Sequence, residues 1–177
     1  MLSYQHIYHA GNFADVQKHS ILISLLKTLK KEHNSISAID THAGRGIYDL
    51  NSKEAQKTKE FSFGIEHFWT MRKEKTPLSD YLTFISRNNK DGRLKTYSGS
   101  AKILEIMLRD SDNLSVAEMH PQEFLYLQKS LPEAENIKIC KDDGFAMLKK
   151  GNFNLAIIDP SYEIKSEYAE IVTHIEE

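Results

Sequence analysis

Three observations predict an α/β fold in which helices cover a parallel sheet. Helical and strand patterns alternate from residue 15 to residue 158. Each of four strand segments ends in an acid or is followed closely by one. A loop with two glycines follows the first strand. In open α/β sheets, ligand chemistry collects at the carboxyl ends of strands, where these residues fall.

Residues 15–32 read as a helix, because Leu22, Leu25, Leu26 and Leu29 recur at helical spacing and Lys27, Lys30 and Lys31 suit its C-terminal dipole. Ser35 to Asp40 is the first strand, and Thr41-His42-Ala43-Gly44-Arg45-Gly46 is the glycine loop after it. The stretch from about 50 to 95 is too long for a plain connection. Its apolar groups, Phe61, Phe63, Ile65, Phe68 and Trp69 and then Tyr81, Leu82, Phe84 and Ile85, predict a small helical insertion with its own apolar contacts. Ser100 can cap a helix over 101–109 with Ile103, Leu104, Met107 and Leu108 on one face. Leu114 to Glu118 is a second strand, and Pro121 opens a helix carrying Phe124, Leu125 and Leu127. Asn136 to Cys140 is a third strand, Asp143-Gly144 starts a short helix to Lys150, and Phe153 to Ile158 is the fourth strand.

The chain has 177 residues, 40% of them apolar, which is one ordinary domain with bulk enough for a core. Its single cysteine, Cys140, excludes an internal disulfide and fits a reducing, cytoplasmic setting. The longest apolar stretch, near Ile21 to Leu29, is broken by Ser24, Lys27 and Thr28 and is too short to span a bilayer, so no membrane role is expected. The first residues, Met1 to His6, lack the basic start and apolar middle of a signal peptide. The net charge of -2 is unevenly spread: residues 53–95 carry ten Lys/Arg against six acids, leaving the rest of the chain at -6. A polyanion would meet that basic segment first, although a solvated helical surface reads the same way.

Two glycines after one strand and Glu118 closing the next are the common plan for an adenosine cofactor, because Gly44 lets the backbone approach and a carboxylate accepts ribose hydroxyls. The six-residue glycine fingerprint of dinucleotide enzymes is missing, since Ile47-Tyr48-Asp49 follows the loop. His6, His9 and His19 lack the HExxH pattern and a nearby cysteine, so no metal site is expected.

After the fourth strand, Asp159-Pro160-Ser161-Tyr162 comes close to the Asp-Pro-Pro-Tyr signature of enzymes that methylate exocyclic amines. The amine of adenine is a poor nucleophile because its lone pair is delocalised into the ring. The Asp159 carboxylate and the Pro160 carbonyl can accept its two N–H groups and aim the lone pair at a methyl donor, while Tyr162 can stack on the base. An Asp-Pro turn with a surface tyrosine is the alternative reading of the same residues.

Taken together these residues resemble the S-adenosylmethionine-dependent methyltransferases of Rossmann-like fold, and more narrowly the bacterial 23S ribosomal RNA adenine-N6 methyltransferase J family. The resemblance is carried by Leu2-Ser3-Tyr4, His9-Ala10-Gly11-Asn12, Ala14-Asp15-Val16 and Lys18-His19 at the start. It continues through Asp40-Thr41-His42-Ala43-Gly44, Tyr97-x-Gly99-Ser100, Glu118-x-His120-Pro121, Asp143-Gly144-Phe145 and Asp159-Pro160. It implies that His19, His42, Ser100, Glu118, Asp143 and Gly144 contact S-adenosylmethionine, that Asp159 is the proton-accepting catalytic residue, and that Tyr4 touches the substrate base. Lys18, beside His19, would face phosphate. The implied partner is 23S ribosomal RNA free of ribosomal proteins.

The chain departs from that family in two places. Ser161 stands where the signature has a second proline, which removes a φ restraint beside Asp159. A fold of this type also continues with about three more strands after the fourth, so the domain, residues 1–177, is expected to be incomplete and the isolated chain marginally stable or self-associated. Two other functions fit these residues: a DNA adenine-N6 methyltransferase, and a catalytically silent S-adenosylmethionine- or RNA-binding module.

Overall fold

The structure, a computed structural model, describes residues 4–161 and residue 171. Helix α1 spans Phe13–Glu32 and begins two residues earlier than its apolar spacing indicates, because Asn12 caps it: the Asn12 side chain accepts from the Asp15 amide at 2.9 Å. Its inner face carries Val16, His19, Leu22, Ile23 and Leu26. Leu25, expected on that face, is 41% exposed. It lies about a quarter-turn from Leu26, outside the stripe.

Strands β1 (Ser37–Asp40), β4 (Asn113–Ala117), β5 (Ile137–Cys140) and β6 (Leu155–Ile157) form one parallel sheet in the order β5-β4-β1-β6. Strand β1 is central, with Ala38 paired to Leu114 on one side and Leu155 on the other. It is shorter than Ser35 to Asp40 because the Ile36 amide donates to the Asp112 carboxylate at 2.8 Å, outside the ladder. The chain runs outward from β1 through β4 to β5 and then returns to place β6 on the other flank. The carboxyl ends of β1 and β6 therefore meet at a topological switch point, the position where such sheets bind ligands.

A second sheet, two antiparallel strands β2 (Ile47–Asp49) and β3 (Thr96–Ser98), was not legible in the sequence. Three-residue strands far apart in the chain leave no period to read. They bracket the insertion, and the Leu50 amide donates to the Lys95 carbonyl at 2.8 Å where its two ends meet. Within it lie α2 (Lys53–Thr58), a 3-10 turn (Glu60–Phe63), α3 (Ile65–Trp69) and α4 (Ser79–Ser86). These helices keep contacts of their own, the 3-10 turn against α3, and they also share the core of the rest of the chain. Phe61, Ile65, Trp69, Tyr81, Leu82, Phe84 and Ile85 join a single buried cluster with Val16, Leu22, Ile23 and Leu26 of α1 and with Ile103 and Leu104. Pooling one core removes more apolar surface from water than two small ones would. Phe63 stays outside it at 83% exposure.

Helix α5 spans Ser100–Met107 with Gly99, not Ser100, at its N-cap and no side-chain cap, which corrects the expected role of Ser100. Helix α6 (Pro121–Ser130) has its proline in the first turn, and His120 Nδ1 accepts from the Gln122 and Glu123 amides at 3.2 and 3.3 Å. Leu127 is buried on its inner face, whereas Leu125 is 58% exposed. Helix α7 (Gly144–Lys150) is capped by Asp143.

Candidate active site

At the carboxyl ends of β1, β4 and β6 lies a cleft of about 510 Å³. Of the twelve residues proposed from the sequence, eleven line it: Tyr4, Lys18, His19, His42, Gly44, Ser100, Glu118, Asp143, Gly144, Asp159 and Pro160. The twelfth, Tyr162, lies outside the described residues.

On the wall formed by β1, β4 and α7, the turn after β1 packs tightly. A side chain on Gly144 would collide with the backbone of Thr41, with a Cβ only 2.2 Å from its carbonyl oxygen, so glycine is required for the start of α7 to reach β1. Gly44 adopts φ +59°, and its amide donates to Glu118 Oε2 at 2.9 Å. The other Glu118 oxygen accepts from the His120 amide at 2.7 Å. Burial raises the Glu118 carboxyl, and these two amides counter the shift. Each carboxylate oxygen retains a further lone pair, enough to accept a pair of vicinal hydroxyls. Asp143 Oδ1 caps α7 through the Phe145 amide at 2.9 Å. His42 Nδ1 lies 2.8 Å from the Thr41 hydroxyl, its ring stands edge-on to Phe145, and burial lowers its proton affinity.

The opposite wall comes from the N-terminal segment and α1. Lys18 Nζ bridges Asp15 Oδ1 at 3.0 Å and Asp159 Oδ2, joining α1 to the end of β6. Burial works against the lysine charge, but the carboxylates of Asp15 and Asp159 outweigh it and hold the ammonium above the usual lysine range. Asp15 is 1% exposed and accepts from the Gly11 amide and from His6 Nε2, each at 2.8 Å. Burial opposes its charge too, yet His6 and Lys18 keep it well below the ordinary carboxylate range. Tyr4 reaches His6 Nδ1 at 2.8 Å and lies flat against His9, ring centroids 5.5 Å apart. Lys18 was read from the sequence as facing phosphate; in the structure it faces two carboxylates.

Beneath the floor, His19 is 1% exposed and its Nδ1 lies 2.6 Å from the Tyr97 hydroxyl, which accepts from the Tyr81 hydroxyl at 3.1 Å. Burial pushes His19 down to about 3, so the ring is neutral. Asp40 is wholly buried, and burial pushes it up to about 6 against the pull of Ser100 and the His42 amide. Its Oδ2 has no hydrogen-bond partner among the described residues. Ser100, freed from capping, stands beside it.

Several contributors carry little or no site signal in the sequence. Asp15 reads as an ordinary first-turn acid, and only its spacing of three from Asn12 and three from Lys18 hints at a bridge. Arg45 forms a double hydrogen bond to Glu123, at 2.9 and 2.5 Å, with Glu123 2% exposed, and so pins the glycine loop to α6. Nothing local in the sequence links residues 45 and 123.

A parallel sheet with a switch-point cleft, an acid after each of its strands and a glycine loop after β1 defines a protein of Rossmann-like fold. A family model described as "Ribosomal RNA large subunit methyltransferase D, RlmJ" matches residues 33–177, and the chain belongs to that family. It is 36% identical over its whole length to the ribosomal RNA large subunit methyltransferase J of Escherichia coli (strain K12) and 37% identical to that of Haemophilus influenzae. It spans 65% of the length of each of these relatives. The crystal structure of protein LPL1258 from Legionella pneumophila superposes with a TM-score of 0.86 at 36% identity, covering 95% of this chain and 64% of that one.

Proposed function

We propose that this chain transfers a methyl group from S-adenosylmethionine to N6 of an adenine in 23S ribosomal RNA, in the cytoplasm and on RNA free of ribosomal proteins. The observation that carries the reading is the placement of Asp159 at the β1/β6 switch point, across one cleft from Glu118, Gly44 and Asp143. The cleft is of a size that suits a nucleoside cofactor. Its donor set fits as well: Glu118 for vicinal hydroxyls, Asp143 for an amine, and His42 with Ser100 for the polar amino-acid end. When bound, S-adenosylmethionine supplies an electrophilic methyl group.

The chain's own residues prepare the amine that receives it. Asp159 and the Pro160 carbonyl accept the two N–H groups and localise the nitrogen lone pair, and the Asp159 carboxylate is the group placed to take the proton that the methylated amine gives up. Lys18, anchored by Asp15, holds the Asp159 carboxylate in place before the base arrives. Tyr4, backed by His9, presents an aromatic face to a base turned out of its stack. The basic residues of 53–95 hold the RNA backbone, so binding weakens as salt rises.

Labelled methyl transfer to protein-stripped large-subunit RNA tests this reading. Asp159→Ala is expected to lower kcat by at least about a hundred-fold, the usual scale for losing a positioned acid–base group. Normal turnover in that variant would remove the assignment, and labelling of DNA in place of RNA would redirect it.

A further inference from the structure

Phe63 and Phe13 are 83% and 60% exposed, and both neighbour the cleft-lining Asn12 along the backbone: Phe13 follows it, and Gly64, next after Phe63, packs against it. Phe63 ends the 3-10 turn Glu60–Phe63, which is fixed at both ends. At its start, the Glu60 carboxylate is 2.7 Å from His9 Nδ1 and accepts from Asn12 Nδ2 at 3.1 Å. At its end, Gly64 lies so close to the Gly11-Asn12 backbone that a Cβ would come within 2.1 Å of the Gly11 carbonyl oxygen, and the next amide, of Ile65, donates to that same oxygen at 2.8 Å. Asn12 and Ala14 line the cleft, with Phe13 between them in the chain. The turn therefore projects an apolar ring into water from a rigid base, bonded directly to the His9 that backs Tyr4.

We propose that Phe63 and Phe13 form an aromatic platform at the mouth of the cleft that stacks unpaired nucleobases flanking the target adenine. This rests on the RNA methyltransferase reading above and deepens it. Phe63 adds nothing to the core at its exposure, and an exposed aromatic carried on a fixed backbone is what sequence-tolerant stacking needs. The neighbouring cations select a polyanion as the occupant. Lys57 and Lys59, both exposed, precede the turn, and Lys57 lies over the Tyr8 ring at 5.7 Å. Aromatic rings beside lysines are the usual equipment for unpaired RNA, whose bases stack while its phosphates are neutralised.

The test combines methylation of protein-stripped large-subunit RNA with anisotropy of a short labelled oligoadenylate and of an abasic strand of equal length. Phe63→Ala is expected to raise KM for RNA and Kd for oligoadenylate about ten-fold each, within the range for one lost stacking contact, and to leave KM for S-adenosylmethionine and abasic-strand binding unchanged. Phe63→Trp should retain wild-type values, while Phe63→Leu, equally apolar but unable to stack, should follow the alanine variant. Phe13→Ala should act in the same direction. Wild-type behaviour of Phe63→Leu, or equal losses on the abasic strand, would overturn the platform. So would sedimentation showing a self-associated chain that Phe63→Ala dissociates with RNA binding unaltered, which would assign the two rings to a contact between copies. A wild-type chain that binds oligoadenylate through Phe63 yet methylates no RNA would retire the enzymatic reading and leave the platform standing. Absence of both binding and turnover would retire both.

Discussion

Asp40 and Asp112 are the same residue type, each 0% exposed, at opposite ends of the central sheet. Asp112, just before β4 at the amino end, is saturated with donors. Arg109 grips it through Nε at 3.0 Å and Nη2 at 2.9 Å, and the Arg109 and Ile36 amides each donate at 2.8 Å. Burial alone would raise its carboxyl, but these partners hold it below the ordinary value. Asp40, ending β1, has one long bond from the His42 amide at 3.3 Å, help from Ser100, and an oxygen without a partner among the described residues, and it is pushed up to about 6. Solvent touches neither, but Asp40 lies deeper in the protein and has fewer donors. One end of the sheet spends its buried charge on holding the fold, and the other keeps a poorly satisfied acid under the cleft where a ligand's polar groups are to arrive.

Removing the satisfied acid is expected to do the greater damage. Asp112→Ala would leave the buried Ile36 amide unpaired and release the segment leading into β1, a loss of about 3 kcal/mol, seen as a fall in Tm of roughly 6–12 °C. Methyl donor affinity in the surviving folded fraction should be unchanged. A Tm within about 2 °C of wild type would mean that the amino-end network is ornamental and the contrast between the two acids false.

Asp40→Asn is expected to act in the opposite direction. The folded-state value of about 6 lies above the ordinary carboxylate value of 3.8, so the folded form favours the proton. That contribution is present below about pH 4 and is lost as pH rises through 6, and by pH 8 the buried charge costs about 2–3 kcal/mol. Asparagine removes that cost. The variant should therefore melt above wild type at pH 8 and close to it at pH 4.5, while binding S-adenosylmethionine more weakly in calorimetry. Equal melting at both pH values would show that Asp40 is as well satisfied as Asp112.

The two acids also mark how far the sequence could be read. The parallel sheet and the gathering of eleven proposed residues in one cleft were within reach, because an α/β chain must bring successive strand ends to one edge of its sheet. Asp40 could be placed at a strand end, but not its missing partner, since satisfaction depends on where Ser100 and His42 come to rest. Long-range pairings left no local mark: Arg45 with Glu123, Lys18 with Asp159, and Arg109 with the carbonyls of Lys30 and His33. Ser100 was misread because Ser before an apolar run is a good cap in general, and here Gly99 occupies that position with extended backbone. That the insertion also packs on α1 was out of reach, because apolar clustering in sequence does not say which neighbours a helix covers.

A smaller effect separates the cleft from its floor through His19. Its folded value of about 3 lies below the ordinary 6.5, so the unfolded chain binds the additional proton between those limits and stability falls as pH drops below 6.5. From pH 7 to pH 5 this is worth about 2 kcal/mol. Asp40 opposes it over the same window, regaining its proton in the folded state as pH falls through 6. The net acid loss in wild type is thus small, and Asp40→Asn, which removes the opposing group, should uncover it. Denaturant titrations at pH 7 and pH 5 should show a steeper loss in Asp40→Asn than in wild type, and adding His19→Gln to that variant should flatten it again. If the single and double variants lose stability in parallel, the ring of His19 is reached by solvent in the folded state and the floor beneath Lys18 is not sealed.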